Sequence, residues 1–259
     1  LGVKGMLYVE LILTTMSRDV HSQYAPVLPS AAWQMVELLG KLRKDGIVQI
    51  PGFYEDIIPA TEEENAILNA GPNVDEALKK TYGTYPVYDK KTGYYATLNN
   101  QPTFNISGVF SGFTGEGGAT VLPSRATAKI DMRLVVAQSG EKILGQLKDY
   151  IRILGYDNVE VVCRGITDPA KTSIHTPYLP VIQKAVNGIF GSSLIYPNRP
   201  STAPDYLWTN ILGLPTIQVR WCDFDSDNHA PNEHLSVENY LRGIALTASA
   251  LMEIGNAEL

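Results

Sequence analysis

Ala126-Thr-Ala-Lys129-Ile130-Asp131-Met132-Arg133-Leu134-Val-Val136 alternates without a break. Lys129, Asp131 and Arg133 fall on one side, and Ile130, Met132 and Leu134 on the other. Successive side chains of a strand point to opposite faces, so this stretch predicts a strand with one face on a core and the other polar. Immediately downstream, Gly140 to Leu154 changes to a helical period, with Ile143, Leu144, Leu147 and Ile151 on one stripe. Asn158 to Cys163 then reads as a further strand. Upstream, Gly5 to Thr15 is a β-branched and aromatic run of strand length, and Pro29 to Leu42 sets Ala32, Met35, Val36, Leu39 and Leu42 at helical spacing. Phe104 to Gly108 alternates again. The order is β-α-β-β-α-β, which predicts a ferredoxin-like unit of the α+β class.

Gly52 to Asn100 interrupts this unit between its first helix and second strand. It holds a polar helical piece around Asp75 to Thr81 and a Tyr- and Gly-rich remainder. A connection of that length is usually functional or mobile. Glu62-Glu63-Glu64 within it reads as a solvated helix start. After Thr167-Asp-Pro-Ala170 the pattern changes to α/β wiring. A helix from Tyr178 to Phe190 precedes a short strand at Leu194 to Tyr196, a helix from Asp205 to Leu212 and a buried strand at Pro215 to Trp221. A final helix behind Ser236 as N-cap sets Val237, Tyr240, Leu241, Ile244, Ala248, Leu251 and Met252 on one face. Thr216 to Trp221 is apolar on both faces and wants sheet neighbours on each side, so this part reads as an incomplete α/β domain. The expected division is 1–165, with the insert at about 52–100, and 166–259, joined by the linker from Cys163 to Thr172. The chain enters a β-type run directly and without an initiator Met, so upstream sequence is expected.

The 259 residues carry a formal charge of −6 and no Lys/Arg cluster interleaved with aromatics, which argues against nucleic acid as a partner. No apolar run is long enough for a membrane span. Leu1 to Thr15 contains Lys4 and Glu10 and lacks a basic leader, so it reads as a strand rather than a signal peptide. Cys163 and Cys222 are far apart and form no C-x-x-C pattern, so neither a thiolate zinc site nor a disulfide framework is suggested. A reducing cytoplasm is the expected location.

Two histidines stand in unusual company. His229 lies in Asp225-Ser-Asp-Asn-His229-Ala-Pro-Asn-Glu233-His234, a polar loop between the buried strand and the last helix. Neutral imidazole is a common zinc ligand, and neighbouring carboxylates can fix its tautomer. The same composition also describes a solvated loop in which Asp and Asn turn the chain. His21, in Ser17-Arg-Asp-Val-His21-Ser-Gln-Tyr24, can donate to a developing oxyanion or be a plain exposed loop histidine. His175 reads as the start of a helix and His234 as a solvated neighbour. On residue type alone, Asn105 is equally a sheet-edge hydrogen-bonder and Arg133 a partner of Asp131 or Glu116.

Five stretches occur in an informative order: Gly2-Val-Lys-Gly5 with its strand, Asp19-Val-His21-Ser22, Asn105-Ile-Ser-Gly108, the block from Val121 to Val135, and Asn228-His229-Ala-Pro231-Asn232-Glu233. Together they resemble the M20 metallopeptidase family, which includes carnosinase-like dipeptidases, carboxypeptidase G2-like enzymes, acetylornithine deacetylase and succinyl-diaminopimelate desuccinylase. The resemblance spans the chain outside the insert. It implies a lid or dimerisation domain followed by the second half of a zinc-exopeptidase catalytic domain. His229 matches the last ligand of a zinc pair, with cobalt or manganese as alternative ions. His21 matches the lid histidine that reaches into the partner subunit's site and stabilises the tetrahedral intermediate. Asn105 and Arg133 match residues that hold the substrate's backbone and terminal carboxylate. Arg199, with Ser201 and Thr202, stands where the family has Arg before a Gly-Gly-Ser turn; here the glycines are replaced, between Pro200 and Pro204. The Ser-Gly that follows the lid histidine in the family is Ser22-Gln23.

The family's upstream His-x-Asp motif, bridging Asp and Glu-Glu pair are not recognisable in this sequence. The resemblance therefore implies part of a metal-dependent hydrolase of peptide or N-acyl amide bonds, of dipeptidase or carboxypeptidase type, homodimeric through its lid and inactive as these 259 residues alone. The alternative is a self-standing dimerisation or binding module without catalysis.

Overall fold

The alternation along Gly5–Thr14 and Arg125–Leu134 translates directly into a one-sided core. Leu7, Val9, Leu11 and Leu13 of the first strand, and Ala126, Ala128, Ile130, Met132 and Leu134 of the second, are buried. In the computed structural model, which describes residues 1–223 and 225–258, the elements of the first part follow in this order: β1 (Gly2–Val3), β2 (Gly5–Thr14), β3 (Val20–His21), α1 (Ala31–Leu42), β4 (Arg43–Lys44), β5 (Ile47–Val48), α2 (Glu62–Asn69), α3 (Asp75–Tyr82), α4 (Tyr94–Asn100), β6 (Asn105–Ser111), β7 (Val121–Leu122), β8 (Arg125–Leu134), α5 (Gly140–Ile153) and β9 (Val159–Thr167). Then come β10 (Ala170–Lys171), α6 (Tyr178–Phe190), a π-helical turn at Leu207–Ile211 and α7 (Val237–Asn256).

β6, β8, β2 and β9 form one antiparallel sheet in that spatial order, and α1 and α5 cover its buried face. This is the expected β-α-β-β-α-β unit. Both helices start behind serines whose hydroxyls accept from the third helical N–H, Ser30 from Trp33 and Ser139 from Lys142. The predicted stripe of α5, Ile143, Leu144, Leu147 and Ile151, is buried throughout. In α1 the buried set is Ala31, Met35, Leu38, Leu39 and Leu42, so the face is rotated from the expected one and Val36 and Trp33 are exposed. Residue 5, at the start of β2, is a glycine because the end of β9 crowds it: a Cβ there would lie 2.6 Å from the Thr167 carbonyl oxygen.

The insert contains three helices: α2 at the expected acidic helix start, α3 at the expected polar piece, and α4, which was not expected. Thr61 caps α2 in a reciprocal capping box with Glu64, as the acidic run suggests. Glu64 is nevertheless buried and paired with Lys171 of β10 at 2.6 Å, so only part of that run is solvated. α4 was not legible, because it follows Gly93 at φ +88° and has no side-chain cap.

The C-terminal part departs most from expectation. Among the described residues, neither Leu194–Tyr196 nor Pro215–Trp221 joins a sheet; the latter is half-buried to exposed and has no ladder partner. Asp205 to Leu212 gives the short π-helical turn instead of a full helix. α7 begins behind Ser236, whose hydroxyl accepts from Asn239 N–H as anticipated. Its apolar face of Val237, Tyr240, Leu241, Ile244, Leu251 and Met252 is exposed, while Gly243 and Leu246 are buried and the helix packs against α6. No helix among the described residues is long and apolar enough to cross a membrane.

Candidate functional site

β8 carries Arg133 outward, on the face opposite the core. Its Nη1 donates to Thr202 Oγ1 at 2.6 Å, and that hydroxyl donates to the Gly5 carbonyl at 3.3 Å. Arg199 lies on the same short segment. Its backbone N–H donates to the Gly2 carbonyl (2.9 Å), its Nη2 to Ser201 Oγ (3.0 Å) and its Nη1 to Gln218 Oε1 (2.8 Å). Gln218 in turn donates to both carboxylate oxygens of the buried Asp205, at 2.8 and 2.9 Å. Two guanidinium groups thus meet adjacent hydroxyls, Arg133 that of Thr202 and Arg199 that of Ser201. A guanidinium has five N–H donors, so neither is saturated by these bonds, and a carboxylate is the anion whose geometry matches the remaining fork. Burial and the neighbouring Arg220 lower the pKa of Arg199 from its ordinary value.

Lys4 belongs to this cluster and was missed in the sequence, where it looked like a charge within a strand. Its side chain is buried at 2 % exposure, and Nζ donates to the carbonyls of Leu98 (2.8 Å) and Gln101 (2.5 Å). Burial and the nearby Arg133 push its pKa down to about 8. A lysine flanked by Val3 and two glycines, at the start of an otherwise apolar run, was the available signal. Gln218 and Asp205 carried none.

Asn105 opens β6 opposite Asp131, and its Nδ2 donates to Asp131 Oδ2 at 2.7 Å. Asp131 and Arg133 share the outward face of β8, so Asn105 lies near Arg133 on the same side of the sheet. The sequence alternative that paired Arg133 with Asp131 does not hold; Thr202 takes its place.

His21 is elsewhere. β3 pairs with β7, and the loop is pinned by Asp19, whose Oδ1 accepts from Ser124 N–H (2.8 Å) and Oγ–H (2.7 Å). These bonds hold the Asp19 carboxyl below its ordinary pKa. The exposed imidazole accepts from Gln23 N–H at Nδ1 (3.1 Å) and lies 3.4 Å from Thr120 Oγ1 at Nε2. Ser124 precedes Arg125, which pairs with Thr14, whereas Arg133 lies at the Gly5 end of the same ladder. At about 3.3 Å per strand residue, His21 and Arg133 of one chain are roughly 25–30 Å apart.

His229 sits at the apex of a loop closed at its base by Asp223. That carboxylate accepts from Ser236 N–H (2.6 Å), from Ser236 Oγ–H (3.0 Å) and from Asn239 Nδ2, which keeps its pKa low. Within the loop, Asp227, His229 and Asn232 all adopt positive φ, His229 at +64°. Such conformations are uncommon outside glycine, so the loop turns sharply at these three residues, and the His229 imidazole is exposed. His229 shares no hydrogen bond with Arg133, Arg199 or Asn105 among the described residues. Nor do the described residues bring together three or more His, Cys, Asp or Glu side chains able to hold a metal. One imidazole does not make a metal centre, so the donor set of these residues does not by itself fit a bound ion.

Comparison with known proteins adds a family to this geometry. The peptidase dimerisation domain family of the M20 group matches residues 1–158. Among curated proteins, the Beta-Ala-His dipeptidase of Rattus norvegicus is 25% identical over 98% of this chain and 53% of its own length. The Cys-Gly metallodipeptidase of Saccharomyces cerevisiae is 25% identical over 96% of this chain and 54% of its own. The chain thus spans about half the length of the curated relatives it matches. The M20 family metallo-carboxypeptidase of Sulfolobus solfataricus superposes with a TM-score of 0.91 at 32% identity, covering 97% of this chain and 58% of that one. Human carnosine dipeptidase 1, at 23% identity and a TM-score of 0.80, shares the fold over 99% of this chain and 56% of its own.

Proposed function

From the premise that the chain belongs to the M20 peptidase dimerisation family, we propose that it forms the lid and part of the catalytic region of a metal-dependent peptidase that takes short peptides with a free terminal carboxylate. The observation that carries this reading is the convergence of Arg133 and Arg199 on the Ser201-Thr202 hydroxyls. It is a built receptor for one carboxylate, and Asn105 beside it can accept or donate to a peptide backbone. The names of the relatives, dipeptidases and a carboxypeptidase, support the same substrate class. In this reading 1–165 is the lid, 166–259 belongs to the catalytic region, and His229 supplies one ligand to zinc, the other ligands lying outside these 259 residues. These residues alone are then inactive. A reducing cytoplasm suits the two free, exposed cysteines.

Hydrolysis assays on the protein expressed from its whole gene test the proposal, using dipeptides and their C-terminal amides. The free-carboxylate forms are expected to be the better substrates, and equal use of the amides would remove the carboxylate receptor. In the same protein, His229→Ala is expected to lower the bound metal measured by atomic emission and to abolish activity. Unchanged metal content would take His229 out of the ligand set.

The homodimer is also part of the proposal. β6 is an edge strand with exposed Ile106, Val109 and Phe110, and α1, packed over β8 and β2, presents Trp33 and Val36 to solvent. An exposed apolar edge invites pairing with another strand, and a second copy would cover both features at once. A Phe110→Glu, Trp33→Glu double substitution is expected to weaken the dimer by at least about 30-fold, read by light scattering across a dilution series. A monomeric parent protein would defeat this part.

A further inference from the structure

The insert is not a peripheral loop. α2 is tied to β10 by the Glu64–Lys171 pair, and Glu63 lies 3.3 Å from His175. Tyr95 of α4 meets Tyr196 edge-on, with ring centroids 6.4 Å apart, and Asn198 Nδ2 reaches Asn100 Oδ1 at 3.4 Å. α4 has seven residues and no side-chain cap, too little to hold a helix by itself. What holds its C-terminal end is Lys4, whose ammonium takes the Leu98 and Gln101 carbonyls where the helix dipole favours a cation.

Lys4 also stands one bond from the arginine cluster. Its backbone N–H donates to the Ser201 carbonyl at 3.0 Å. The next carbonyl, that of Gly5, accepts from Thr202 Oγ–H, and Thr202 Oγ1 accepts from Arg133. A buried ammonium is costly to desolvate, and an apolar side chain would fill the same volume without that cost. Packing alone does not explain a charge at this position.

We propose that Lys4 is a positioning residue for the Arg133–Thr202 site: by seating α4 of the insert against the start of β2, it fixes the Ser201-Thr202 segment and thereby the direction of the Arg133 guanidinium. This rests on the peptidase reading above, and it gives the insert the role of a strap between the lid sheet and the Arg199 segment. The strap acts on substrate orientation and not on the reacting bond.

The test is a double-mutant cycle of Lys4→Met and Thr202→Val in the protein expressed from its whole gene, assayed with a dipeptide and its C-terminal amide. Lys4→Met is expected to raise KM for the free-carboxylate dipeptide about tenfold, with kcat within about twofold and little change for the amide. The double variant is expected to be no worse than Thr202→Val alone. Additive effects, or equal losses with both substrates, would mean that Lys4 only supports the fold and would overturn the proposal. Hydrogen exchange supplies an arm independent of turnover. The Thr97 to Gln101 amides should lose protection in Lys4→Met while β2 and β8 keep theirs, and retained protection at 97–101 overturns the idea. Should Lys4→Met fail to fold, Tyr95→Leu loosens α4 from the Tyr196 side and must raise KM in the same direction; no shift has the same force against the proposal. A protein that binds dipeptides without cleaving them defeats the peptidase reading alone, and the cycle is then read on the dissociation constant.

Discussion

His21→Ala is expected to lower peptide turnover by about 10²- to 10³-fold, the usual cost of removing one oxyanion donor, while metal content and dimerisation stay unchanged. The physical argument is distance. His21 is held on the β3–β7 ribbon at the Thr14 end of the sheet, and Arg133 is at the Gly5 end. One substrate cannot touch both in a single chain, so a catalytic His21 has to act on the site of a second copy. That makes a sharper experiment available than the single variant. Co-expressed His21→Ala and His229→Ala chains would form mixed dimers in which one site combines an intact metal loop with an intact His21 from its partner. Recovery of about half the parent activity per mixed dimer is expected. Absence of any recovery, with mixed dimers demonstrated by mass, would remove the role in trans.

Leu11→Ala is expected to cost about 2–5 kcal/mol of stability, seen as a lower denaturant midpoint with an unchanged slope. Leu11 is fully buried on the central strand β2, between Ala128 of β8 and Val161 of β9, and its side chain belongs to the cluster under α1 and α5. The adjacent Ile12 points to the other, partly solvated face. Ile12→Ala should cost less than half as much. Equal costs for the two would mean that the outer face of the sheet is covered as tightly as the inner one, against the one-sided core.

These two sites also mark what was legible beforehand. The lid could be read because each of its strands announces its face locally, by alternation in β2 and β8, and because its helices carry their stripes and serine caps. Val36 shows the limit: helical spacing gave it to the core, but an apolar residue on the rim of a stripe can equally belong to an interface. Thr216 to Trp221 reads as a buried strand from composition, yet a strand is defined by neighbours, and the described residues offer it none. The same applies to the apolar face of α7, which stays exposed among the described residues although the helix packs against α6 on another side.

For the candidate site, Arg133, Arg199 and Asn105 stood out through their motifs; the structure brings the two arginines to Ser201-Thr202 and pairs Asn105 with Asp131. The partners that hold the two arginines, Thr202 and Gln218 with Asp205 behind it, come from contacts between distant parts of the chain. No local pattern encodes such contacts. Lys4 was hidden for a different reason: its two acceptors are main-chain carbonyls of α4, and carbonyls have no sequence signature.

The wiring of the central strand bears on how the molecule is made. β2 is synthesised well before its two ladder partners, Arg125–Leu134 and Val159–Thr167. At ordinary elongation rates of about 5–20 residues per second, the apolar strand waits roughly 5 to 20 s for its first partner to leave the ribosome. Much of that delay is the insert, translated in between. Contacts so distant along the chain make sheet closure slow even after release. During that interval Leu7, Val9, Leu11 and Leu13 are an unpaired strand in a nascent chain, the kind of segment that chaperones hold.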